Sequence, residues 1–222
     1  MNYIFISPAY PVTCTYFCDR LSRLGVNVLG IGDVPYDTLN DQLKSALTEY
    51  YYVDTLEDYD RVYRAVAFYI HKYGRIDWLD SLNEYWLPAD ARLRTDFNIA
   101  TGTRSGEIDD LIKKSGMKRI FLEAGIPTAR QHIVTDFDSG KAFAAKTGYP
   151  VIVKPDIGVG ANGAMKIDTE EELTDFYNDL PSEPYVMEEF MCGDICTYDA
   201  VIDSHCEPLF ESMCTYPPVI DS

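Results

Sequence analysis

The stretch from Gly148 to Gly163, GYPVIVKPDIGVGANG, constrains this chain more than any other. Val151, Ile152 and Val153 form a short, β-branched apolar run that leads directly into Lys154, and Gly158, Gly160 and Gly163 follow within nine residues. The run predicts a buried strand that ends in a cation and opens into a glycine-rich loop. Such a device holds a polyphosphate: the lysine supplies a point charge, and the glycines let backbone N–H groups approach phosphate oxygens. It is not a Walker A loop, because no Gly-Lys-Ser/Thr opens a helix after the glycines. It is not a dinucleotide fingerprint either, because the lysine precedes the loop and the glycine spacing differs. A strand-end lysine that snorkels to solvent is the plainer reading of Lys154, and an ordinary hairpin is that of the loop.

Three further segments are arranged around this stretch. Lys113-Lys114-Ser115-Gly116-Met117-Lys118 leads through a helical pattern into Ala124-Gly125-Ile126-Pro127. Tyr185-Val186-Met187-Glu188-Glu189-Phe190-Met191 reads as a strand. Cys192-Gly193-Asp194 introduces the alternating run Ile195 to Ile202. Together with the strand and loop at Lys154, these segments resemble, in order, the ATP-grasp ligases, and most closely the carbamoyl-phosphate synthetase and biotin carboxylase branch. The resemblance implies an α/β fold. A Rossmann-like pre-ATP-grasp domain (residues 1–104) would precede an ATP-grasp N-terminal subdomain (105–188), followed by an incomplete C-terminal ATP-grasp subdomain (189–222).

It also implies roles for particular residues. Lys154 contacts the α- and β-phosphates of ATP. Lys114 is the other ATP lysine, chosen over Lys113 by its distance from the Ala-Gly-Ile-Pro turn; neighbours on a helix diverge by about 100°, so one faces nucleotide and the other solvent. Gly158, Gly160 and Gly163 form a mobile loop over the phosphates. The backbone of Glu188 and Met191 pairs with the adenine edge. The ribose falls to Asp194 or Glu189, because Ile195 stands where many relatives carry another carboxylate. A solvated sheet edge is the alternative for these hinge acids.

The N-terminal hundred residues alternate strand and helix patterns, as an open parallel sheet requires. Strands are predicted at 3–6, 26–31, 50–53 and 76–82, and helices at 13–24, 56–73 and 87–97. Beyond the last strand lie Glu84, Arg92 and Arg94. They read either as a carboxylate- or phosphate-binding group or as a helix salt-bridged through Asp90 and Asp96. Farther along, helices are predicted at 108–123, 137–147 and 170–180. Strands are predicted at 131–134, 151–154 and 164–167. Thr169 and Glu172 are spaced as a capping box.

Composition narrows the function. A net charge of −17 leaves no basic stripe for nucleic acid, and it means that the few cations near a phosphate must be concentrated there. No segment reaches 18 consecutive apolar residues, so no membrane span is expected. The N-terminus reads as a strand and not as a signal peptide. The six cysteines then read as reduced thiols of a cytoplasmic protein, and the two C-x-x-x-C pairs, Cys14/Cys18 and Cys192/Cys196, as buried small hydrophobes and not as a metal site.

The resemblance further implies Mg²⁺ in the complete enzyme, a small-molecule carboxylate substrate activated as an acyl phosphate for attack by an amine or thiol, and a possible homodimer. The family's magnesium ligands include a Glu-x-Asn pair, and none occurs here. The sequence is therefore expected to represent the N-terminal half of a ligase, inactive alone and without metal ligands of its own. The alternatives are a non-catalytic nucleotide-binding or assembly module and, less well supported, a dinucleotide-dependent Rossmann enzyme.

Overall fold

A computed structural model describes residues 1–158 and 162–216. The chain divides into two compact units, Met1–Ile112 and Lys113–Ser222.

The first unit is built on four parallel strands, β1 (Asn2–Ile6), β2 (Asn27–Gly32), β3 (Glu49–Tyr52) and β4 (Trp78–Asp80), in the order β3-β2-β1-β4. Parallel neighbours need crossover connections, which helices α1 (Cys14–Arg23), α2 (Asp41–Ala46) and α3 (Tyr59–Tyr73) help to supply, and α4 (Leu87–Asp96) follows β4. Alternation along the strands feeds two cores. Ile4, Ile6, Leu29 and Ile31 pack with Val62, Ala65, Val66 and Tyr69 of α3. Phe5 and Val28 point the other way, against Cys14 and Cys18 of α1 and Leu43 and Ala46 of α2. The sheet is therefore covered on both faces, which is why its strands read as continuous apolar runs. Strand β4 is shorter than the predicted 76–82.

The second unit centres on an antiparallel sheet of β5 (Gln131–Ile133), β6 (Val151–Pro155), β7 (Met165–Ile167) and β8 (Tyr185–Glu189), in the order β5-β8-β6-β7. Residues Val151, Val153, Tyr185 and Met187 face a core completed by helices α7 (Phe137–Thr147) and α8 (Glu170–Asn178). Each helix begins at a side-chain cap: Asp136 accepts from Ser139 N at 2.9 Å, and Thr169 from Glu172 N at 3.2 Å. Glu172 reaches back to the backbone N–H of Asp168 at 2.7 Å, one residue before the position a capping box uses. Strands β9 (Ile195–Ile202) and β10 (Pro208–Tyr216) form an exposed hairpin.

The helix predicted over 108–123 is interrupted. It forms as α5 (Asp109–Ile112) and α6 (Lys114–Glu123), with Lys113 extended at φ −83° and ψ 127°. The cysteines also depart in part from expectation. Cys14 and Cys18 are buried, but Cys192, Cys196, Cys206 and Cys214 are exposed, because the hairpin and its lead-in bury so little. All six are free thiols.

α7 and α8 meet at Gly140, where a Cβ would lie 2.2 Å from the Tyr177 hydroxyl oxygen. That hydroxyl is buried without a hydrogen-bond partner among the described residues. An unsatisfied buried hydroxyl costs about 1–3 kcal/mol. Tyr177→Phe is therefore expected to stabilise the second unit by about 1 kcal/mol in urea unfolding; a loss of stability would show that the hydroxyl has a partner in solution.

Candidate functional site

The site in the second unit starts from one capping interaction. Helix α6 has no side-chain cap from its own N-cap residue, Lys113. Asp156, one residue past β6, supplies it instead. Its carboxylate accepts from Ser115 N at 2.8 Å and Ser115 Oγ at 2.7 Å, and its carbonyl accepts from Lys114 N at 2.9 Å. A helix N-terminus leaves four backbone N–H groups without intrahelical partners and carries a partial positive charge, so a carboxylate there is doubly favoured. The contact interrupts the longer helix at Lys113 and brings the start of α6 to the end of β6. Lys114 then extends to the Gly158 carbonyl, with Nζ donating at 3.1 Å.

Register places the second cluster. Ile152 pairs with Glu188 and Lys154 with Val186, and Gln131 pairs with Glu188 from the other side. Lys154, Glu188 and Gln131 therefore share the sheet face opposite the one that packs on α7 and α8. Lys154 Nζ donates to Glu188 Oε2 at 2.5 Å. Glu188 Oε1 accepts from Lys118 Nζ at 2.8 Å and from Gln131 Nε2 at 3.0 Å. Lys118 also donates to the Ala129 carbonyl at 2.8 Å. The side chains of Lys118 and Glu188 are only 14% and 12% exposed, and that of Lys154 is 27% exposed. Burial pushes the Glu188 carboxyl upward, but hydrogen bonds from Lys118 and Lys154, with their charges, outweigh it and hold the group below its ordinary value of 4.5. The sign follows: the stabilisation from this cluster is complete above that value and is lost as pH falls through the lowered one.

The remaining hinge residues are more open. Glu189 pairs with Arg130 through Nε at 2.6 Å and accepts from Arg130 N at 2.7 Å. Met191 is 65% exposed, and Asp194 is exposed. Gly163 sits at φ +72°, where a Cβ would lie 3.0 Å from both Pro155 and the Tyr185 hydroxyl, so a side chain at this position would be strained. Gly158 has φ +149°. Gly160 lies outside the described residues. A cavity of about 610 Å³ opens beside Lys118, between Leu122, Ile133, Phe143 and Lys146. None of Lys114, Lys154 or the hinge residues lines it.

In the first unit, the group predicted to bind an anion does not converge. Arg94 is buried, with Nε on the Leu79 carbonyl at 2.9 Å, one terminal nitrogen on the Thr103 carbonyl at 3.0 Å and the other on Asp80 at 3.1 Å. Its guanidinium is spent tying β4 and the 101–103 loop to α4. Arg92 stacks on Tyr59 at 3.7 Å and lies 4.0 Å from Asp96, the i,i+4 pair that the helix reading anticipates. Glu84 is exposed. Asp90 accepts from Ser81 N and Oγ at 2.9 and 2.6 Å through one oxygen, and its other oxygen is buried without a partner among the described residues; burial pushes its carboxyl up to about 7, against the Ser81 hydrogen bonds.

Reading the sequence missed Lys118, Gln131 and Asp156. Lys118 stands at i+4 from Lys114, and Asp156 at i+2 from Lys154; those spacings were the available signals.

The fold is that of the ATP-grasp ligases. The biotin carboxylase domain of the Hydrogenobacter thermophilus 2-oxoglutarate carboxylase, solved with MgADP, ADP and bicarbonate, superposes with a TM-score of 0.69 at 18% identity, over 88% of this chain and 46% of that one. The N5-carboxyaminoimidazole ribonucleotide synthetase of Thermus thermophilus superposes at 0.66 with 16% identity, over 98% of this chain and 53% of that one. More particularly, residues 113–186 match the model of the carbamoyl-phosphate synthase L chain ATP binding domain. The carbamoyl phosphate synthase large chain of Clostridium botulinum (strain Loch Maree / Type A3) is 49% identical over 72 residues, 32% of this chain and 7% of that protein. The chain thus spans about half the length of the solved structures it matches and a small part of that large chain.

Because Asp156 places both Lys114 and the loop, Asp156→Ala is expected to lower stability by about 1–2 kcal/mol in urea unfolding, with Asp156→Asn retaining most of it. An alanine variant within about 0.3 kcal/mol of the parent would remove the cap from the account.

Proposed function

We propose that this chain carries the nucleotide-binding part of an ATP-grasp ligase that activates a small-molecule carboxylate as an acyl phosphate for attack by an amine or a thiol. The observation that carries the reading is the gathering of Lys114, Lys118 and Lys154 around the end of β6 and the 156–158 turn in a chain of net charge −17. Cations this concentrated in an acidic protein suit a polyphosphate.

In this reading Lys154 meets the α- and β-phosphates and Lys114 lies beside them. Gly158, Gly160 and Gly163 close over them and exclude water. The Glu188 carbonyl and the Met191 N–H meet the adenine edge, and Asp194 or Glu189 the ribose. Bound ATP supplies the transferable γ-phosphoryl group. No enzyme nucleophile is needed; the residues position and neutralise charge.

Mg²⁺ does not fit the residues at hand. Among the described residues no group of three His, Cys, Asp or Glu side chains could hold an ion, and the Glu188 carboxylate is held by two lysines. The 222 residues are expected to bind ATP without turning it over. The same observation supports a second reading, a nucleotide-binding module without catalysis. Saturable ATP binding with no hydrolysis when Mg²⁺ is supplied fits both; acyl-phosphate formation by a longer chain containing these residues would select the ligase.

Free thiols throughout, and no described helix long and apolar enough to cross a membrane, agree with a cytoplasmic enzyme working on small molecules, with a homodimer as the proposed assembly.

Calorimetric titration of ATP, with and without Mg²⁺, tests the reading. The chain is expected to bind ATP, and Lys154→Ala to bind at least about tenfold more weakly, because a charged hydrogen bond is worth about 1.5–3 kcal/mol. Equal affinities for parent and variant would overturn the assignment of Lys154.

A further inference from the structure

In the folded chain Lys154 is already occupied. Its ammonium group sits 2.5 Å from a carboxylate oxygen of Glu188, on a side chain that is 12% exposed. A phosphate can recruit Lys154 only if Glu188 tolerates losing it, and a carboxylate this buried does not tolerate losing its only counter-charge.

Glu188 has a second counter-charge. Its other oxygen accepts from Lys118 at 2.8 Å and from Gln131 at 3.0 Å. Lys118 is fixed: it comes from helix α6, is 14% exposed, and is anchored by a further hydrogen bond to the Ala129 carbonyl. Lys154 is the more open of the two lysines, at 27% exposed. One carboxylate is thus shared between a lysine locked in place and a lysine at the end of the strand that enters the glycine loop.

We infer that Lys118 is a positioning residue of the nucleotide site, holding the Glu188 carboxylate so that Lys154 is free to turn from Glu188 to a phosphate oxygen. The inference rests on the ATP reading above and adds to it a residue that itself touches no nucleotide. Lys118 keeps Glu188 neutralised in both states, and Lys154 exchanges one anion for another. Without Lys118, Lys154 is the sole cation on Glu188, and recruiting it strands a buried charge.

The test is calorimetric titration of ATP and of adenosine into four forms of the chain: parent, Lys118→Met, Lys118→Arg and the double variant Lys118→Met/Glu188→Gln. The parent is expected to bind ATP. Lys118→Met should bind it about tenfold or more weakly while adenosine affinity stays the same, since adenosine carries no phosphate to recruit Lys154. Lys118→Arg should keep most of the affinity. The double variant should return to within about threefold of the parent, because a neutral glutamine neither holds Lys154 nor needs a counter-charge. It also contains no unpaired buried charge, so its binding remains readable if Lys118→Met folds poorly. Parent-like ATP binding by Lys118→Met would overturn the role of Lys118 and leave the ATP reading intact. So would a parallel loss of adenosine binding, or a double variant as weak as the single. A parent that binds no ATP would overturn both.

Discussion

One carboxylate placed across 41 residues holds the candidate site together. Asp156 caps α6 from the end of β6, at a helix start to which its own N-cap residue gives no side-chain acceptor. The same contact interrupts the helix at Lys113 and delivers Lys114 to the Gly158 carbonyl. Lys114 is thereby brought to the turn that follows Lys154, by a hydrogen-bonded anchor distant in sequence.

Charge around that anchor is arranged with economy. Lys118 and Lys154 sit on the two oxygens of Glu188, and Arg130 takes Glu189 next door. The apolar face of the same sheet is closed by α7 and α8, so the strands carry core on one side and ions on the other. A four-stranded antiparallel sheet can do this because alternate residues face opposite ways. The first unit cannot: its parallel sheet is packed on both faces; just past β4, Ser81 donates to one oxygen of Asp90 and Arg94 to the Leu79 carbonyl, while the other Asp90 oxygen is buried without a partner among the described residues.

Much of this was legible in the sequence. The β-branched run into Lys154, the glycines after it and the alternation through Ile195 to Ile202 are local patterns, and local patterns dictate strands. The alternation of strand and helix in the first hundred residues was legible for the same reason. The misreadings share a cause. Residues 108–123 are helical by propensity throughout, and only a cap from Asp156, distant in sequence, interrupts them. Lys118 carries no local signal of a role, because its partner Glu188 lies 70 residues away. Arg94 looked available to a ligand, yet two backbone carbonyls and Asp80 claim it. Residue type alone reads Cys192 and Cys196 as buried, as Cys14 and Cys18 are, whereas the hairpin and its lead-in leave the later pair exposed. Long-range hydrogen bonds and the packing of edge elements are what single-sequence patterns do not encode.

The most direct test of the central claim is a crystal structure of this chain with a non-hydrolysable ATP analogue. The account predicts phosphate oxygens within hydrogen-bond distance of Lys114 and Lys154, the base against the 188–191 backbone, and Glu188 still held by Lys118. An analogue bound at the strand ends of the first unit, or phosphates that leave the Lys154–Glu188 pair untouched, would contradict it.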